Sequence, residues 1–147
     1  MREIKFRAWD AYRKRIYEVI EINWLGESIK VYADFAGYGY TNMKSAILMQ
    51  YTGLHDEGGK EIYEGDILGC HDNVKRWKSG DGERAIVEWD KNKSRWGMMF
   101  HSIYGGEGHL CAEESLNSRV RFEWVVVGNI YENPELLELG SSHDKIV

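Results

Sequence analysis

The chain has 147 residues, of which 43% are hydrophobic and 13% aromatic, with a net charge of −5 at neutral pH. This length suits one compact domain or two very small ones, and the apolar content excludes a chain disordered throughout. The negative balance argues against a broad, nonspecific grip on nucleic acid, which needs clustered cations.

The N-terminus is charged and alternating, without the apolar core of a signal peptide, and no later run approaches the ~20 apolar residues of a membrane helix. The expectation is a cytoplasmic protein with no membrane contact. Residues 4–8 alternate: Ile4, Phe6 and Ala8 share one face, Lys5 and Arg7 the other, as in a half-buried strand. Residues 10–15 are polar and basic and read as a turn. Residues 16–24 and 29–35 are two further strands, separated by Gly26-Glu27-Ser28. The three runs predict a β-meander. Residues 37–42 read as a loop that exposes Tyr38 and Tyr40.

Residues 47–54 are a strand, and residues 61–68 a second one broken at Gly65. The intervening His55-Asp56-Glu57-Gly58-Gly59-Lys60 has turn chemistry, since glycine enters positive φ without steric cost. Gly53, Asp56, Gly59, Gly65 and Asp66 are assigned structural turn roles. Residues 72–83 are polar and read as a surface loop with the cluster Lys75-Arg76-Trp77-Lys78. Residues 84–89 and 96–100 form a hairpin around a six-residue turn, which brings Trp89 and Trp96 together. Residues 112–116 have the composition of one helical turn. Residues 119–128 are a long strand. Asn133, Pro134 and Glu135 then give the cap, first position and first turn of a short C-terminal helix.

The expected fold is mainly β (a β-rich α+β protein). It is a small SH3-like antiparallel barrel over residues 53–136, with an N-terminal β-meander over residues 1–52 and a short C-terminal helix. Residues 1–140 are expected as a single domain and residues 141–147 as a flexible tail. No linker rich in proline or serine marks an internal boundary.

Chemistry is hard to find. Cys70, His71, His109 and Cys111 are zinc-type ligands, but each pair lacks the spacer usual in structural sites, so buried thiols and surface histidines are the favoured reading. Gly58-Gly59-Lys60 fails as a phosphate loop: no glycine stands five residues earlier, Glu61 replaces the hydroxyl residue, and a strand follows. His55, Asp56, Glu61, Glu64 and Asp66 are acid–base types, yet they sit in or beside a turn where Asp and Gly serve backbone geometry. Lys75, Arg76 and Lys78, with Trp77 among them, offer a nucleic-acid contact; the solvated loop is favoured. Tyr38, Tyr40, Trp77, Trp89 and Trp96 are the candidate interaction surface, because large aromatics make good binding anchors.

Three blocks carry a family likeness. Leu48-Met-Gln-Tyr-Thr-Gly-Leu54, Asp56, Gly59, Lys60 and Glu61-Ile-Tyr-Glu-Gly-Asp-Ile67 form the longest. Arg2-Glu-Ile-Lys-Phe-Arg-Ala-Trp-Asp10 precedes it and Val127-Gly-Asn-Ile-Tyr-Glu-Asn-Pro-Glu-Leu136 follows. Together they resemble the YopX family. The resemblance implies a small phage or prophage protein of a bacterial host, and it brings no catalytic residue to transfer. The reading is a non-enzymatic accessory protein without cofactor or metal, binding a protein partner or copies of itself as a homo-oligomer. The alternative is a nucleic-acid-binding protein of phage DNA metabolism.

Overall fold

The computed structural model describes residues 3–33, 36–70, 83–102, 114–115 and 124–137. The chain divides into two compact units, Met1–Gly53 and Leu54–Val147. The protein is mainly β, as expected, and is built on two antiparallel sheets. One sheet holds β1 (Phe6–Asp10), β2 (Arg15–Asn23), β3 (Ser28–Ala33), β4 (Gly37–Asn42), β5 (Ala46–His55) and β6 (Glu61–Tyr63), in the order β4-β3-β2-β1-β5-β6. The other holds β7 (Asp66–Cys70), β8 (Glu83–Asp90), β9 (Arg95–Ser102), β10 (Glu114–Ser115) and β11 (Trp124–Asn129), in the order β10-β9-β8-β7-β11.

In the N-terminal unit the alternation of β3 sets the inner face. Ile29 and Val31 are buried, while Lys30 and Tyr32 stay half-buried. Ala8, Asp10 and Thr41 are buried with them. The sheet must roll to achieve this. β4 and β5 stand four strand spacings apart, which is ~19 Å in a flat sheet. The four peptide steps from Asn42 to Ala46 reach at most ~15 Å. The Thr41 hydroxyl accordingly donates to Asp10 Oδ2 at 3.0 Å, and the Ala11 N–H to the Ser45 carbonyl at 3.1 Å.

In the C-terminal unit, Ile62, Leu68, Ala85, Val87, Met98 and Trp124 form the core, with Leu54, Trp96 and Val126 packed against it. Burying each large apolar side chain contributes about 1.5–3 kcal/mol. β8 and β9 pair through Trp89↔Trp96 and Asp90↔Arg95. The connection is therefore tighter than the expected six residues. Asp90 Oδ1 accepts from the N–H groups of Asn92 and Lys93 and closes it.

Four expectations need correction. Residues 37–42 are not a loop but the strand β4, paired along its length with β3 from Ser28↔Asn42 to Ala33↔Gly37. Gly37 has φ +69 and turns the chain; Tyr38, Tyr40 and Thr41 are strong strand formers. Glu114 and Ser115 pair with Met98 and Gly97 instead of making a helical turn, because the open side of β9 needs hydrogen-bond partners. The C-terminal helix is one 3-10 turn, Pro134–Leu137. Asn133 keeps the cap position, its carbonyl accepting from the Leu136 N–H at 3.1 Å, but its side-chain Oδ1 accepts from the Asn129 N–H at 3.3 Å, back toward β11. Closure of a barrel is not seen among the described residues: β10 and β11 stand at opposite ends of their sheet. The physical reason lies at Gly65, φ +78, where the chain leaves one sheet and enters the other, so β6 is lost to the expected barrel.

Candidate functional site

The turn after β5 is a structural clamp. Asp56 Oδ1 accepts from the Lys60 N–H at 2.8 Å, and its Oδ2 from the Val126 N–H at 2.9 Å. The Asp56 N–H donates to the Lys60 carbonyl at 2.8 Å, and the Gly59 N–H to the Asp56 carbonyl at 3.0 Å. One carboxylate thus closes its own hairpin and holds β11. Gly53 and Gly59 both have positive φ, +86 and +84. Asp66 is fully buried and its Oδ2 accepts from the Tyr63 N–H at 2.8 Å. The Gly65 N–H donates to the Val87 carbonyl, and the Ile130 N–H to the Gly65 carbonyl. Glu61 accepts from the Tyr63 hydroxyl at 2.8 Å, while His55 is exposed. Burial raises the Tyr131 hydroxyl pKa, and the charge of Glu64 raises it further. These groups occupy themselves with backbone and neighbours, which is scaffolding chemistry.

Among the described residues no cluster of three or more His, Cys, Asp or Glu could hold a metal, and no helix is long and apolar enough to cross a membrane. His71, Lys75, Arg76, Trp77, Lys78, His109 and Cys111 lie outside the described residues.

Of the candidate aromatics, Trp89 and Trp96 meet edge to face, with ring centroids 5.1 Å apart and planes at 75°. Trp89 remains two-fifths exposed. Tyr38 and Tyr40 lie in the N-terminal unit, each 67% exposed, on the outer face of β4. The Tyr32 ring lies 5.3 Å from that of Tyr38, and Lys30 Nζ stands 5.2 Å over the Tyr38 ring. Among the described residues β4 pairs only with β3, so its second side is a sheet edge. Beside it opens a cavity of about 210 Å³ lined by Arg13, Tyr17, Val31, Gly37, Gly39 and Tyr40, among others.

Arg13 and Asp10, read in the sequence only as members of a polar, basic turn, meet here: Arg13 lines the cavity and Asp10 anchors it. Asp10, at the end of β1, is fully buried. Its Oδ1 accepts from the Tyr12 and Arg13 N–H groups, and its Oδ2 from Arg13 Nη1 at 2.8 Å and the Thr41 hydroxyl. An Asp at the head of a polar turn, three residues before Arg13, is the signal that was available. Burial alone would push the Asp10 carboxyl up. The hydrogen bonds from the Arg13 backbone and side chain, Thr41 and Tyr12 outweigh that and hold it below its ordinary 3.8. A depressed folded pKa means the charged form is favoured by folding. The stabilisation is complete above the ordinary value and is lost as pH falls through it toward the folded one. Asp10→Asn keeps an acceptor for the backbone N–H groups but sets an amide against Arg13. The melting-temperature gap between wild type and Asp10→Asn should therefore shrink as the pH is lowered from about 5 to about 2. A gap that stays constant would show that the charge of Asp10 is not the stabilising element.

No curated protein matches the chain. Among solved structures it is similar to protein EF1440 from Enterococcus faecalis, with 28% identity, 94% of this chain and 100% of that chain covered, and a TM-score of 0.59. The family model described as YopX protein matches residues 5–138. That span includes the Asp56 clamp, the Gly65 crossing and the β4 edge, and the chain belongs to the YopX family.

Proposed function

We propose that this protein is a non-enzymatic binding module which captures an extended segment of a partner protein along β4. The observation that carries this reading is the β4 edge, with two tyrosines exposed at alternate positions. An edge strand offers a row of backbone donors and acceptors, and alternate side chains supply anchors. Natural edges are blunted by charge or proline, and Gly-Tyr-Gly-Tyr-Thr-Asn has neither. The engagement of Asp56, Asp66 and Glu61 in the scaffold favours binding over catalysis. In this reading the protein is a phage or prophage accessory factor in the bacterial cytoplasm. A second copy of the chain is the competing occupant of the edge, which would make a homo-oligomer.

The test is capture of proteins from bacterial lysate, with and without nuclease, by wild type and by the double variant Tyr38→Ser, Tyr40→Ser. Both tyrosines are mostly exposed, so the variant should keep the wild-type melting temperature. The expected result is a nuclease-resistant partner that the variant loses. A partner retained by the variant would overturn the β4 assignment. Partners that vanish with nuclease and weaken with salt would instead favour the nucleic-acid reading through Lys75, Arg76 and Lys78.

A further inference from the structure

We infer that the segment docking along β4 is acidic, placing a carboxylate side chain in the cavity beside that strand against Arg13. The inference rests on the edge-docking reading above and adds the chemistry of the partner.

Size comes first. Pockets for small molecules run to roughly 300–1,000 Å³. The cavity here, about 210 Å³, is below that range and fits a side chain carried in by an extended chain. Its floor is backbone: a Cβ built on Gly37 or Gly39 meets nothing within 4 Å. The two glycines therefore leave open space where other residues would project side chains inward, directly beside hydrogen-bonding groups of the edge.

Charge comes second. Among the described residues Arg13 is the one charged residue lining the cavity, in a protein whose overall charge is −5. Its side chain is 54% exposed, and Asp10 engages it at Nη1 from the buried side. That contact fixes the guanidinium in place without covering it. A guanidinium has five donors in a planar fork, so a second carboxylate can be accepted beside the first. Asp10 itself is fully buried behind Arg13 and shares its charge among four donors, which limits its repulsion of an incoming acid. Lys30 stands over Tyr38 on the outer face and adds a second cation near the strand. Glu18 pairs in register with Tyr32 on that outer face and does not line the cavity.

The probe is a random display library of linear peptides of about ten residues, long enough to span a six-residue strand with flanks. It is panned against the full chain, the Tyr38→Ser, Tyr40→Ser variant and Arg13→Gln. Glutamine keeps an N–H donor for Asp10 and removes the charge. Wild type should enrich peptides with alternating apolar residues and one Asp or Glu, the acidic residue about 2–5-fold over input, as one half-exposed ion pair allows. The acidic bias should disappear in Arg13→Gln and fade at high salt, while the apolar alternation persists. Enrichment that depends on Tyr38 and Tyr40 but shows no acidic bias, or a basic one, would overturn this inference and leave edge docking standing. Enrichment unaffected by the tyrosine variant, or none at all by folded wild type, would overturn both.

Discussion

Asp56→Ala should lower the unfolding free energy by about 3 kcal/mol, and Asp56→Asn by roughly half as much. The aspartate is nine-tenths buried and its two oxygens accept from two backbone N–H groups, those of Lys60 and Val126. A hydrogen bond to a charged group contributes about 1.5–3 kcal/mol, and alanine leaves both donors without this acceptor. Asparagine retains one carbonyl oxygen, so one of the two bonds survives. For a domain whose whole stability is about 5–15 kcal/mol, the alanine loss is large. The check is urea denaturation followed by tryptophan fluorescence, to which Trp124 in the core contributes. The midpoint should fall with the slope unchanged. An alanine variant within about 0.5 kcal/mol of wild type would mean that the two carboxylate bonds of this clamp do not stabilise the fold.

The clamp also marks where sequence reading stops. The turn itself was legible, because Asp and Gly between two apolar runs have a local mechanism. Its partner was not: Val126 lies 70 residues away, and nothing in the periodicity of either segment points to the other. The Asp10–Thr41 contact is hidden for the same reason, its members standing 31 positions apart. By contrast Trp89 and Trp96 could be placed opposite each other, since a tight hairpin sets its register locally. β3 was legible from the alternation of Ile29 and Val31. β4 was missed because its inward positions are two glycines and a threonine. Alternation of tyrosine with glycine has the period of a strand, but without an apolar inner row it reads as a loop. The candidate interaction edge was thus seen as two exposed tyrosines and not as an edge.

Gly128→Val is expected to have a larger effect than Asp56→Ala, exceeding about 3 kcal/mol, with Gly128→Ala costing about 2–3 kcal/mol. The reason is space, since Gly128 does not occupy the left-handed region. A Cβ at this position would come 2.5 Å from Asn133 Oδ1, 2.8 Å from its Cγ and 2.9 Å from its Cβ. No rotation of the Asn133 side chain moves its own Cβ, so the backbone of the turn has to shift. That turn is dense with bonds. The Asn133 N–H donates to the Asn129 carbonyl at 2.9 Å, and Asn129 Oδ1 accepts from the N–H groups of Tyr131 and Glu132. Asn129 is buried, so groups displaced from it are not readily repaid by water. The strand before it leaves little slack, because the β11–β7 register already shifts between Val126 and Gly128. A double-mutant cycle separates clash from strand propensity. Asn133→Gly removes the obstructing atoms at its own cost, and in that background Gly128→Ala should cost less than about 1 kcal/mol. If the alanine penalty stays the same with and without Asn133, the close approach of β11 to the turn is not what requires glycine there.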